Sequence, residues 1–122
     1  MADRTFLDWP FFQERHRDLA AKLEKWAKRS VGAAHGRDSV DDECRRLVKA
    51  LGKGGWLEHA APNNGKPDVR TLCLARETLA RYSGLADFAF AMQGLGSGPI
   101  TLFGTQNVSS TRRPPSPRCW NA

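Results

Sequence analysis

The side chains of this chain that could do metal or redox chemistry are three cysteines and three histidines. Cys44, Cys73 and Cys119 lie far apart, and none belongs to the Cys-x-x-Cys pattern of zinc sites and thioredoxin-like proteins. Cys44 and Cys73 fall among apolar residues at helical spacing, where cysteine behaves as a small hydrophobic side chain. The pattern predicts buried, reduced thiols, as is usual in a cytoplasmic protein.

The histidines and the clustered acids also lack the spacing of a metal site. His16 falls on an apolar helical stripe, which predicts a residue at the edge of the core, and His35 and His59 fall in predicted loops. The acids at 41–43 are consecutive, so their side chains would leave a helix in different directions. Because they stand at a predicted helix start, we expect them to complement the helix dipole. No metal site is predicted.

A glycine run, Gly94-Leu-Gly-Ser-Gly98, is the remaining candidate for chemistry. It lacks the Gly-Lys-Ser/Thr ending of a P-loop, and it follows a predicted helix, whereas the dinucleotide-binding fingerprint follows a strand. We expect a turn between helices with close backbone approach. Neither a Ser/His/Asp nor a Cys/His set can be argued from the residues, so no catalytic residue is predicted.

Charge and hydropathy exclude further classes. The formal net charge is +6, but half of it comes from Arg112, Arg113 and Arg118, and elsewhere the two signs are interspersed. Nucleic-acid binding is therefore not predicted, because no basic stripe with interleaved aromatic residues occurs. Charges within the first 20 positions argue against a signal peptide. Residues 88–111 are uncharged, but glycines, Gln93 and Pro99 favour a buried helix and a turn over a membrane span.

Apolar spacings of three and four residues predict an all-α fold, a small bundle of four to five helices. That the bundle is orthogonal is implied only by the family resemblance described below. The predicted elements are helices over about 10–30, 38–53, 68–82 and 85–94, then a short turn over 99–103. Their apolar faces should form the core: Phe12, His16, Leu19, Leu23, Trp26, Val40, Cys44, Leu47, Val48, Leu51, Val69, Leu72, Cys73, Ala75, Leu79 and Tyr82. Trp56 and Leu57 are expected to fold back as an apolar plug.

Composition changes abruptly at Thr105/Gln106. Residues 86–105 carry one charge and are expected to be fully buried, and the predicted helix over about 85–94 is apolar all round. Residues 106–122 contain almost nothing that can enter a core. We therefore expect an irregular lead over 1–10, a helical domain over 11–105, and a disordered, non-native tail over 106–122.

The last thirty residues before this point carry a family resemblance. The marks are a helix with a Glu77/Arg81 pair, an apolar helix, a small-residue turn with Pro99-Ile100, and Phe103-Gly104-Thr105. This segment resembles the amino-terminal helical domain of acyl-CoA dehydrogenases, and Gly-Trp-Leu at 55–57 is similar to the end of that family's second helix. The resemblance covers about 11–105 and is specific only over its last thirty residues.

The resemblance implies a function that the residues alone do not show. In the family, FAD lies between a middle β-domain and a carboxy-terminal helical domain, across a subunit interface of a homo-oligomer. A glutamate of the carboxy-terminal domain removes the α-proton of an acyl-CoA, and the β-hydride passes to the flavin. By position, Asp87, Phe88, Ala91 and Leu95 match residues that line the acyl pocket, although smaller polar residues are common in the family where Asp87 and Phe88 stand.

The sequence also departs from that family. Its members continue with a Gln-Lys helix and a Leu-Pro step into the β-domain, and residues from Gln106 onward do neither. Our hypothesis is a truncation, or a tail translated out of frame, which leaves a fragment expected to be inactive and to hold no FAD alone. Two alternatives stay open: a small basic helical module for protein–protein interaction, and a complementing subunit of a split dehydrogenase.

Overall fold

The chain forms a small bundle of α-helices. The computed structural model describes residues 3–32, 39–62 and 66–105. Within these ranges a 3₁₀ turn, Thr5–Asp8, precedes five helices: α1 Glu14–Ser30, α2 Val40–Lys53, α3 Leu57–Ala60, α4 Val69–Tyr82 and α5 Gly84–Phe103. No strand occurs in the described ranges, which confirms the predicted all-α class. His35, Cys119 and the tail over 106–122 lie outside them.

Helix starts follow local capping chemistry. The Ser39 hydroxyl accepts the backbone N–H of Asp42, and Asp68 and Ser83 cap α4 and α5 in the same way. The predicted start of α2, with its acids in the first turn, is confirmed. The predicted start of α1 near Pro10 is wrong: the helix begins at Glu14, because Gln13 has an extended backbone and forms a capping box with His16. The lead before it forms the 3₁₀ turn. That turn is held by Arg17, whose Nε donates to the carbonyl of Leu7 at 3.0 Å.

Helix α4 lies at the centre of the core, packed against α1 on one side and α5 on the other. The fully buried apolar side chains come from every helix and from Val31. They are Ala20, Leu23, Ala27, Val31, Leu47, Leu51, Ala60, Leu74, Ala75, Leu79, Ala86, Ala89 and Phe90. The predicted stripes through Leu23, Leu47 and Leu79 are therefore confirmed.

Ten of the sixteen residues in those predicted stripes are not fully buried, and three of the ten are exposed. Val40 and Val69 are exposed because each is the first residue of its helix, before the packed turns begin. Cys73 is exposed and Cys44 is half-buried. On α4 the buried positions are Leu74, Ala75, Thr78 and Leu79, and Cys73 lies to one side of that stripe. The prediction of buried thiols is wrong for these two cysteines.

The chain reverses after α2 as an apolar plug, as predicted. Gly55 has φ +76, a left-handed conformation that glycine adopts without steric cost. Trp56 then packs against the core, with its ring 5.8 Å from that of Trp26. His59, predicted in a loop, lies on the short helix α3. Burial lowers the pKa of its imidazole below the ordinary value.

The predicted break within 94–98 is wrong, since α5 continues through Pro99 to Phe103. A proline inside a helix removes one backbone hydrogen bond and crowds the residue before it. Gly98 has no Cβ, so that crowding is reduced. Two hydroxyls add bonds around the proline: Ser97 Oγ donates to the carbonyl of Gln93 at 2.6 Å, and Thr101 Oγ1 to that of Ser97 at 3.0 Å.

Candidate functional site

Large apolar side chains line the side of α5 that faces away from the bundle. Phe88, Met92, Leu95, Pro99 and Leu102 follow one another at spacings of four and three, which keeps them on one helical face. We call these five residues the outward face of α5. Phe88 is 60% exposed and Leu95 68%, and Phe103 at the helix end is 86% exposed. Contiguous apolar exposure of this kind marks a contact surface.

The opposite side of α5 is packed against the bundle. Ala86, Ala89 and Phe90 are buried, and Gly94 lies against α3, where an added Cβ would be 3.4 Å from the carbonyl oxygen of Ala60. The helix was predicted to be buried on all sides. That prediction is wrong for the described chain, because α2, α3 and α4 cover only one side of α5.

The four residues predicted to line an acyl pocket separate into two groups. Phe88 and Leu95 belong to the outward face, and half-buried Ala91 lies at its edge. Asp87 is instead tied to α4: Arg76 donates Nε to Oδ1 at 2.8 Å and Nη2 to Oδ2 at 3.0 Å. This two-point contact raises the pKa of the Arg76 guanidinium. This exposed ion pair joins α5 to α4, whereas the burial of Ala86, Ala89 and Phe90 sets which side of α5 faces outward.

A second polar cluster joins the starts of α1 and α4. His16 is fully buried; its Nδ1 accepts the backbone N–H of Gln13 at 2.9 Å, and its Nε2 lies 3.0 Å from Oδ2 of Asp68. Because Nδ1 is an acceptor, Nε2 carries the proton and donates it to the carboxylate. Arg15 donates to the same Asp68 oxygen at 2.9 Å.

The carboxylate of Asp68 thus serves two helices. Its Oδ1 accepts the backbone N–H of Arg70, which caps α4. The hydrogen bond from His16, with smaller contributions from Arg70, lowers the pKa of Asp68 to about 2. The sequence predicted His16 as a core-edge residue and Asp68 as a cap, but not their contact, because 52 positions separate them.

Among residues 3–32, 39–62 and 66–105 no group of three or more potential ligands could hold a metal ion. A flavin needs hydrogen-bond donors for its diphosphate and ring atoms, and the outward face presents only apolar side chains. The residues on this face therefore do not fit FAD. What the face can do is cover another apolar surface.

Comparison with known proteins does not assign the chain to a family. No family model matches the chain, and no curated protein matches it. In the part of the chain that the structure describes, no helix is both long and apolar enough to cross a lipid bilayer.

Proposed function

We propose that this chain is the amino-terminal helical part of an acyl-CoA dehydrogenase, and that the outward face of α5 forms one wall of the acyl pocket. The observation that carries the proposal is the placement of Phe88 and Leu95. Residues that the family resemblance assigns to the pocket are exposed on one face that lacks a neighbour in the described chain. The intact enzyme would be a cytoplasmic homo-oligomer that binds an acyl-CoA.

The apolar character of this face suits a methylene chain. Each CH₂ group buried from water contributes about 0.8 kcal/mol, and the contact needs no polar partner. Phe88, Ala91 and Leu95 would contact the acyl group, whereas Asp87, engaged by Arg76, would position the helix. Proton abstraction and hydride transfer would belong to the middle and carboxy-terminal domains and to their FAD.

The proposal predicts that the nucleotide sequence beyond codon 105 encodes the missing domains in another reading frame. Translating the two other frames is the test. A β-domain followed by a helical domain, in one of them, would support the dehydrogenase origin. If neither frame continues into such domains, the out-of-frame hypothesis fails.

A second measurement concerns the chain by itself. The purified 122-residue protein is expected to be colourless and to leave acyl-CoA unchanged, because in the family that it resembles the flavin and the proton-abstracting glutamate belong to the other two domains. Visible absorption and flavin released on denaturation would be measured against protein concentration. A flavin bound at one equivalent per chain would overturn the claim that the other domains hold the cofactor.

The second candidate function is that of a helical module that binds another polypeptide through the outward face of α5. One glycine favours it: a Cβ added at Gly96 would meet no atom within 4 Å. A glycine inside a helix costs about 1 kcal/mol relative to alanine. Gly96 has no packing reason in the described chain, whereas the close approach of a second helix would supply one. A complementing subunit of a split dehydrogenase would use the face in the same way.

Thermal melting with light scattering separates the two functions. A binding module should unfold cooperatively as a monodisperse species, and an enzyme fragment should aggregate through its uncovered face.

A further inference from the structure

Exposed cations gather where the second halves of α1 and α2 run side by side. Two contacts hold these halves together: Arg46 Nη1 donates to the carbonyl of Ser30 at 3.0 Å, and the ring of Trp26 lies 5.8 Å from that of Trp56, just after α2. Both signs of charge alternate along the sequence, but the fold places two acid-poor segments beside each other. We call their six exposed cations the basic patch: Lys22, Lys25, Lys28 and Arg29 on α1, and Lys49 and Lys53 on α2.

Neighbouring acids do not neutralise the basic patch. In the described ranges, none of its six side chains forms an ion pair with a carboxylate. Three acids of the same two helices are engaged by arginines outside the patch, in the pairs Glu24–Arg4, Glu24–Arg81, Asp42–Arg45 and Glu43–Arg46. The patch therefore presents its positive charges to solvent.

Helix dipoles account for only half of the basic patch. Lys28, Arg29 and Lys53 stand in the last turns of their helices, where a cation is favourable. Lys22, Lys25 and Lys49 lie further from the helix ends, and the effect of the dipole falls off within the last turn. Like charges held together repel one another, and a polyanion bound across them would relieve that repulsion.

The side chains of the patch distinguish among polyanions. None of the exposed large apolar residues of the described chain lies within 22–29 or 45–53, so the patch has no apolar side chain to insert into a bilayer. Trp26 and Trp56 pack against the core and are not available to stack on unpaired bases. The phosphates of a duplex need only positive charges.

The dimensions of the patch also suit a duplex. Lys22 and Arg29 are seven residues apart on α1, which is about 10 Å along the helix. Neighbouring helices lie about 8–10 Å apart, so α2 widens the patch by a similar distance. A duplex carries one charge per about 1.7 Å of its axis, and thus about six phosphates over the same length.

From this arrangement we propose that the basic patch binds the phosphate backbone of double-stranded nucleic acid without reading its sequence. The proposal goes beyond both candidate functions, because it concerns residues of α1 and α2 and not the outward face of α5. It does not depend on a dehydrogenase origin.

Fluorescence anisotropy of a labelled duplex of about 20 base pairs, titrated with the full chain between about 50 and 200 mM salt, tests the proposal. The Kd near physiological salt is expected between about 10⁻⁴ and 10⁻⁶ M, as for other binding without sequence preference. If four of the six cations contact phosphates, log K should fall with log salt concentration at a slope of about −3.6.

Two variants of equal net charge locate the contact. Lys25→Gln/Lys53→Gln removes one charge from each helix of the patch, and should make the slope shallower by about 1.8 and raise the Kd at about 50 mM salt at least tenfold. Arg112→Gln/Arg113→Gln removes two charges outside the patch and should leave the slope unchanged. Glutamine keeps a helix propensity close to that of lysine, and circular dichroism would check the fold.

Three results would overturn the proposal: no binding at about 50 mM salt, equal losses in the two variants, or a larger loss in the Arg112→Gln/Arg113→Gln variant. Vesicles that contain phosphatidylserine provide a further arm. Patch-dependent binding to these vesicles as tight as binding to the duplex would overturn the duplex as the partner. None of these results bears on the reading-frame, flavin or melting tests.

Discussion

Replacing Phe90 with alanine is expected to lower the free energy of unfolding by about 3–5 kcal/mol, as for other fully buried phenylalanines. Phe90 is 1% exposed and belongs to the cluster that joins α5 to the rest of the bundle. Alanine would remove the ring and leave a cavity that its neighbours fill only in part. Urea denaturation of the full chain, followed by circular dichroism, measures the change.

Phe88 provides the matched control, since it has the same side chain on the same helix two positions earlier. It is 60% exposed, so Phe88→Ala should change the free energy of unfolding by no more than about 0.5 kcal/mol. The difference between the two variants reports which side of α5 faces the core. Equal losses for both, or a larger loss for Phe88→Ala, would contradict the outward face on which both candidate functions depend.

The sequence predicted local features of this fold well. Ser39 and Asp68 mark helix starts because a hydroxyl or carboxylate in the cap position accepts a free backbone N–H. The pair Glu77/Arg81 forms as its spacing of four residues indicates, with an ion-pair distance of 3.0 Å. These features depend on residues within one turn of each other, and so they could be derived without knowing the neighbours.

The predictions that were wrong for α5 depend on contacts that the sequence of one helix does not show. Helix α5 is apolar all round, and its sequence does not show which side other helices will cover. The packing of Ala86, Ala89 and Phe90 against other helices settles that question, but it depends on residues far away in the sequence and leaves no periodic signal in an all-apolar helix. Pro99 predicted a helix boundary, and Gly98 with the hydroxyls of Ser97 and Thr101 accommodates it inside α5. The sequence alone does not show whether the proline ends the helix or whether the neighbouring glycine and hydroxyls allow the helix to continue.

Replacing Asp68 with alanine should separate the starts of α1 and α4 and lower the free energy of unfolding by about 2–4 kcal/mol. Loss of a helix cap costs about 0.5–2 kcal/mol, and a buried donor left without a partner costs about 1–3 kcal/mol. The donor here is Nε2 of His16, which is fully buried. Asp68→Asn should cost less, about 1 kcal/mol, because the amide oxygen can still accept a hydrogen bond.

The difference between wild type and Asp68→Asn should depend on pH in a definite direction. The pKa of Asp68 is lowered from 3.8 to about 2 in the folded chain. A lowered carboxyl pKa stabilises the folded state above 3.8, and this contribution is lost as the pH falls towards 2. The urea midpoints of wild type and Asp68→Asn should therefore converge as the pH falls from 3.8 to about 2. Above pH 3.8 the difference between the two midpoints should stay constant. A difference that stays constant down to pH 2 would show that the charge of Asp68 contributes nothing, and that its role is only to accept hydrogen bonds.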